Sequence, residues 1–179
     1  MTEKPGQESA QPSSLLGDVA KRILLVDDDP NDARLALAAF ARSSLDEQVT
    51  LVTDGSLALA YLYGRAPFDS VPRPNPPSVV LLDLKLPVID GFEVLRQIKE
   101  DPALKSLPVV VLTSSREVRD VTRAYGLGAN GYMVKVIDFD RYCSALEVAG
   151  RFWTAVNEPP PRWRGPEPME DSWTDTASG

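Results

Sequence analysis

The chain has 179 residues, of which 43% are hydrophobic, a formal net charge of -7 and no histidine. That length predicts one domain, able to bury roughly 70% of its unfolded surface, while the acid excess without any basic run argues against a nucleic-acid grip. Lack of histidine excludes Ser/His/Asp and Cys/His catalysis and His-based zinc sites, and with no apolar run of about 18 residues and no leader the chain reads as cytoplasmic, with no membrane span.

Residues 1–20, rich in Ser, Gln, Pro and Glu, read as a flexible N-terminal extension. A first strand, β1, is expected over residues 22–26, "RILLV", running straight into Asp27, Asp28 and Asp29. Adjacent carboxylates repel by ~1 kcal/mol at ~4 Å in water and by several times that near a low-dielectric wall. Helix capping, a bound cation or plain solvation could each offset that cost. The segment 31–43, "NDARLALAAFARS", predicts helix α1, opening with Asn31 and Asp32 as caps, and Asp29 joins the capping group. "QVTLV" (48–52) predicts β2 and "SVVLLD" (78–83) predicts β3, which delivers Asp83 at its end. The connection 64–77, "GRAPFDSVPRPNPP", holds five prolines and reads as a stiff surface excursion.

"GFEVLRQIKE" (91–100) predicts α3, with Phe92, Leu95 and Ile98 on one face and "DP" as its stop. "PVVVLT" (108–113) predicts β4, ending at Thr113. "REVRDVTRAYGLG" (116–128) predicts α4 with a glycine end, and "GYMVK" (131–135) predicts β5, ending at Lys135. Residues 138–156 predict α5, ~28 Å long at 1.5 Å per residue, with Phe139, Tyr142, Leu146, Ala149 and Phe152 toward the sheet and Val148 and Trp153 on another side. Cys143 fits a small core residue. From residue 157 the chain carries five prolines within a dozen positions and reads as a tail.

Five alternating strand and helix pairs predict an α/β fold, a doubly wound parallel sheet of order 2-1-3-4-5 with helices on both faces. Continuous apolar runs such as "SVVLL" and "PVVVL" suit strands covered on both sides. In that topology ligands sit beyond the carboxyl ends of the strands, between β1 and β3, where Asp27, Asp28 and Asp83 converge. An oxygen-only set of this kind suits Mg²⁺. Thr113 and Lys135 arrive at the neighbouring strand ends, a hydroxyl and an ammonium able to hold a phosphoryl oxygen. Taken singly, Thr113 also reads as a helix cap, Lys135 as a solvated edge charge and Tyr132 as an aromatic packed on the sheet.

The stretches "ILLVDDDPND", "VVLLDLKLPVIDG", "VVVLTSS" and "GYMVK" together resemble the receiver domain of bacterial two-component response regulators, over about residues 21–156. The resemblance implies a flavodoxin-like (βα)5 fold. It also implies a phosphoacceptor rather than an enzyme, assisting its own phosphorylation and dephosphorylation at Asp83, with Asp28 as a direct Mg²⁺ ligand and Asp27 acting partly through water. Lys85 matches the position whose backbone carbonyl joins the metal shell. Thr113 and Tyr132 match the pair that reorients on phosphorylation, and Lys135 matches the phosphate-contacting lysine. Val136 departs from the proline usual after that lysine, and a trans bond is expected there because a cis one costs ~2.5 to 4 kcal/mol.

The implied function is phosphoryl acceptance from a histidine kinase in a phosphorelay, and the long connection before β3 and the ending "RFWTAV" are similar to stand-alone regulators of phytochrome-type kinases, which makes a bacteriophytochrome the expected partner. A degenerate receiver used only for binding is the alternative. An aspartate-nucleophile phosphatase would want an acid two residues past Asp83, where Lys85 stands. A homodimer is expected through α5 with the neighbouring α4 or β5 surface.

Overall fold

A computed structural model describes residues 22–68 and 77–158. The extension 1–20, part of the proline-rich connection and nearly all of the expected tail lie outside the described residues. Five parallel strands stand in the order β2-β1-β3-β4-β5. They are β1 Ile23–Val26, β2 Val49–Val52, β3 Val79–Leu82, β4 Val109–Thr113 and β5 Gly131–Val134. The helices are α1 Pro30–Arg42, α2 Gly55–Tyr63, α3 Gly91–Glu100, α4 Val118–Gly126 and α5 Phe139–Arg151. This is the flavodoxin-like arrangement expected from the alternating pattern. Among the described residues no helix is long and apolar enough to cross a membrane.

Strand side chains alternate between two cores, as a two-residue period requires. Leu24, Val26, Val80 and Leu82 join Leu59, Val94, Ile98 and Ala124 under α2, α3 and α4. Ile23, Leu25, Val79 and Leu81 join Phe40, Tyr142, Cys143 and Leu146 under α1 and α5. Strands β1, β3 and β4 are buried on both faces, which explains their unbroken apolar runs. Register pairs Ile23 with both Val49 and Val79, so the chains of β2, β1 and β3 end level with one another.

Aspartates start four helices. Asp29, Asp54, Asp90 and Asp138 each accept a backbone N–H of the first turn of α1, α2, α3 and α5. Each such cap contributes ~1 kcal/mol. Asp29 therefore caps as expected, whereas Asn31 lies inside the first turn and accepts from Arg34 instead.

The buried face of α5 differs from the expected one. Tyr142, Cys143, Leu146 and Gly150 are buried, and Thr154 follows them in a π-helical turn, Phe152–Val156. Ala149 is only half-buried, while Phe139 and Phe152 are 45% and 44% exposed. The reason is rotational: at 100° per residue, each three-residue step falls roughly 60° short of a turn. Leu146, Ala149 and Phe152 thus wind off the core, whereas Leu146, Gly150 and Thr154, at steps of four, stay on it. Trp153, expected on another side, packs partly buried against the α1–α5 core. Gly150 marks a close crossing, since a Cβ there would meet Phe40 and Leu45 side chains at 2.9 Å.

Candidate functional site

Backbone hydrogen bonds carry the sheet one residue beyond its strands at the carboxyl edge. The N–H of Asp27 donates to the Val52 carbonyl at 3.1 Å, that of Asp83 to the Val26 carbonyl at 3.0 Å, and that of Lys135 to the Thr113 carbonyl at 2.9 Å. The first two acids are thereby fixed side by side on neighbouring strands, and the lysine is fixed two strands beyond Asp83, at the end of β5. Carboxylate oxygens of Asp27, Asp28 and Asp83 all lie within 4.8 Å of one another. None of the three caps a helix, so capping accounts for Asp29 and leaves the repulsion among these carboxylates to another group.

Lys135 supplies part of the compensation. Its Nζ donates to Asp83 Oδ2 at 2.7 Å, Asp27 Oδ2 at 2.8 Å and Asp32 Oδ2 at 2.9 Å. The Lys135 side chain is 8% exposed, so this is a buried ion cluster rather than a solvated edge charge. Burial opposes the ammonium, but hydrogen bonds to Asp27, Asp83 and Asp32 outweigh it and hold the Lys135 pKa above its ordinary value. Burial pushes the Asp27 carboxyl up, and Asp83 beside it adds to the shift against the opposing contact with Lys135. Three carboxylates touch one ammonium and Asp28 stands beside two of them, so the crevice carries excess negative charge and favours an added cation. The donors are all hard oxygens and Asp28 is exposed, which fits a divalent cation keeping several waters.

The other strand ends occupy the expected places. Thr113 closes β4 and is fully buried, with its Oγ1 accepting the Ser115 N–H at 3.4 Å. Tyr132, on β5, packs partly buried against the α2–α4 core and donates its hydroxyl to the Ser115 carbonyl at 3.2 Å. Burial raises its pKa. Lys85 is exposed, and its N–H donates to Asp83 Oδ1 at 3.2 Å. The bond before Val136 is trans, as expected, and Val136 packs against the α1–α5 core. Lys135 reaches the crevice with valine in that place. Cys143 is buried and free.

Asp32 reads from the sequence only as a helix cap, and its place at the crevice was not anticipated. The available signal was positional: a carboxylate in the first turn of the helix leaving β1 stands at the same sheet edge as the strand-end acids. Ser115 was also missed, because it acts through a backbone carbonyl that side-chain chemistry does not announce.

Residues 23–147 match the sequence model of the response regulator receiver domain. The chain is 39% identical over 133 residues to response regulator Rcp1 of Synechocystis sp., covering 74% of this chain and 88% of that one. The solved structure of a phosphorylated cyanobacterial phytochrome response regulator, RcpA, aligns with a TM-score of 0.71 and 37% identity, over 78% of this chain and 98% of that one. The bacteriophytochrome response regulator RtBRR aligns with a TM-score of 0.63 and 48% identity, over 79% and 84% of the two chains. A match over residues 23–147, which take in all five strands and the carboxylates and lysine at their ends, places the chain in the response regulator receiver family of two-component phosphorelays.

Proposed function

We propose that Asp83 is the phosphoacceptor, taking its phosphoryl group from a phosphohistidine of a histidine kinase. The observation that carries this reading is the cluster at Asp83 itself, a nearly buried carboxylate flanked by Asp27 and Asp28 and touched by Lys135. A carboxylate oxygen of Asp83 forms the new P–O bond while the P–N bond to the donor imidazole breaks. The electron pair stays on the imidazole nitrogen, which takes a proton from water. Asp28 and Asp83, with the Lys85 carbonyl, would hold Mg²⁺, and Asp27 would act through water. Bound there, Mg²⁺ supplies the charge neutralisation that lets an anionic donor approach an anionic nucleophile.

The chain's own groups do the rest. Lys135 pairs with a phosphoryl oxygen, and the Thr113 hydroxyl donates to another. The added charge, roughly -2, redistributes an existing equilibrium in which Thr113 and Tyr132 shift together. The names of the similar proteins favour a bacteriophytochrome as the kinase, and a cytoplasmic location goes with such a partner. Val148, exposed on α5, and Phe152, exposed at the start of the π-helical turn that follows, favour a homodimer through that end of the helix with α4 or β5. Transfer from a phosphorylated bacteriophytochrome kinase tests the reading. Label should move to the wild type and not to Asp83→Asn, and equal labelling of the two would overturn it.

A further inference from the structure

We infer that Asp32 is a positioning residue for Lys135, holding the ammonium on the α1 side of the crevice so that it is already aimed when Asp83 takes up phosphoryl. The inference rests on the reading of Asp83 as phosphoacceptor and goes beyond it. Lys135 arrives from β5, and two of its three partners, Asp27 and Asp83, belong to the reaction centre. Asp32 is the third, at 2.9 Å, and it comes from a different element, the first turn of α1. Its place there is fixed by its backbone N–H, which donates to the Asp29 cap at 3.2 Å. Asp32 therefore ties the β5 strand end to α1 without occupying the space between Asp27, Asp28 and Asp83.

The surroundings make that contact consequential. The Asp32 side chain is 37% exposed, but the lysine it grips is nearly buried. Tyr142, on α5, is buried and within electrostatic reach of Lys135, Asp27, Asp32 and Asp83, and its hydroxyl has no hydrogen-bond partner. Its hydroxyl bonds to none of these carboxylates and so does not compete with Lys135 for them. In such a place a charge-assisted hydrogen bond is stronger than on an open surface. Without Asp32 the ammonium has partners only at the reaction centre and loses its anchor on the α1 side.

The test uses the full chain. Nitrogen-resolved NMR of the lysine ammonium groups, read without phosphodonor, should show the Lys135 signal shifted and its protons exchanging faster in Asp32→Ala, with Asp32→Glu restoring both. With acetyl phosphate as donor, Asp32→Ala should label about three- to tenfold more slowly, the scale of a charge-assisted hydrogen bond discounted for partial exposure. Asp32→Asn, which keeps an acceptor but no charge, should fall between. In a Lys135→Ala background the Asp32 substitution should change nothing further. An unchanged Lys135 signal, or the same slowing with and without Lys135, would overturn the inference while leaving Asp83 as acceptor. Failure of the wild type to label at all would overturn both.

Discussion

Gly91 presses its Cα against the backbone of Asp83: a Cβ at residue 91 would overlap the Asp83 carbonyl oxygen and lie 2.7 Å from Leu84 Cα. The N–H of Gly91 also donates to the Leu84 carbonyl at 2.9 Å. The start of α3 is thus seated on the strand end that presents the Asp83 carboxylate. Gly91→Ala must displace backbone on one side or the other. It should cost about 1 to 3 kcal/mol by overpacking and slow phosphorylation of Asp83. Thermal denaturation and acetyl phosphate labelling check both parts, and a variant as stable and as reactive as wild type would show that α3 does not fix Asp83.

Asp28 stands in the carboxylate cluster, whereas its neighbour Asp29 caps α1. Asp28→Ala should weaken Mg²⁺ binding about tenfold or more, at least the effect expected of an outer-shell partner, with little change in melting. Asp29→Ala should do the reverse, losing ~1 kcal/mol as its cap to Asn31 and Asp32 disappears. Calorimetric titration with Mg²⁺ and thermal melts of both variants separate the two roles. Loss of Mg²⁺ affinity from Asp29→Ala alone would reverse the assignment.

What could be read from the sequence was what local chemistry decides. The apolar runs of β1, β3 and β4 announced strands covered on both faces, and the residues that end each strand, Asp27, Asp83, Thr113 and Lys135, reached the predicted edge. Tertiary geometry decided the rest. Asp32 is an ordinary acid in a first helical turn until β5 brings Lys135 to it. On α5 a chain of three-residue steps from Leu146 to Phe152 imitated a buried face while rotating away from it, and a closing π-helical turn gave Trp153 its place against the core.

That α5 geometry separates packing from association. Trp153→Ala should lower stability by about 2 kcal/mol, below the range for a fully buried aromatic because the ring is only partly covered. Phe152→Ser, which removes a ring 44% exposed and set edge-on to Trp153 at 4.9 Å, should cost less, about 1 kcal/mol, and shift the protein toward monomer. Sedimentation velocity at micromolar concentration and thermal melts distinguish these outcomes. Dissociation caused by Trp153→Ala alone would place the association surface elsewhere.

At the opposite end of the sheet, Lys99 Nζ donates to the Leu107 carbonyl at 2.7 Å and to Asn130 Oδ1 at 2.9 Å. Burial pushes its pKa down from 10.5 to about 8. Between those values the unfolded chain holds the proton that the folded chain has released, so stability should rise with pH across about 8 to 10.5. Below that window the buried charge is a constant cost. Denaturant titrations of the wild type and Lys99→Met at several pH values isolate this slope, which the substitution should remove. Parallel curves would show that the carbonyl oxygens keep Lys99 charged throughout.

The most direct measurement is the position of the phosphoryl group. The protein is incubated with acetyl phosphate and Mg²⁺, the acyl phosphate is trapped by borohydride reduction, and the reduced residue is mapped by mass spectrometry. The modification should fall on Asp83 alone, depend on Mg²⁺, and be absent when a chelator is present or Asp83 is replaced by Asn. A modification mapping to Asp27, Asp28 or any other residue, or undiminished in Asp83→Asn, would contradict the assignment of Asp83 as the acceptor.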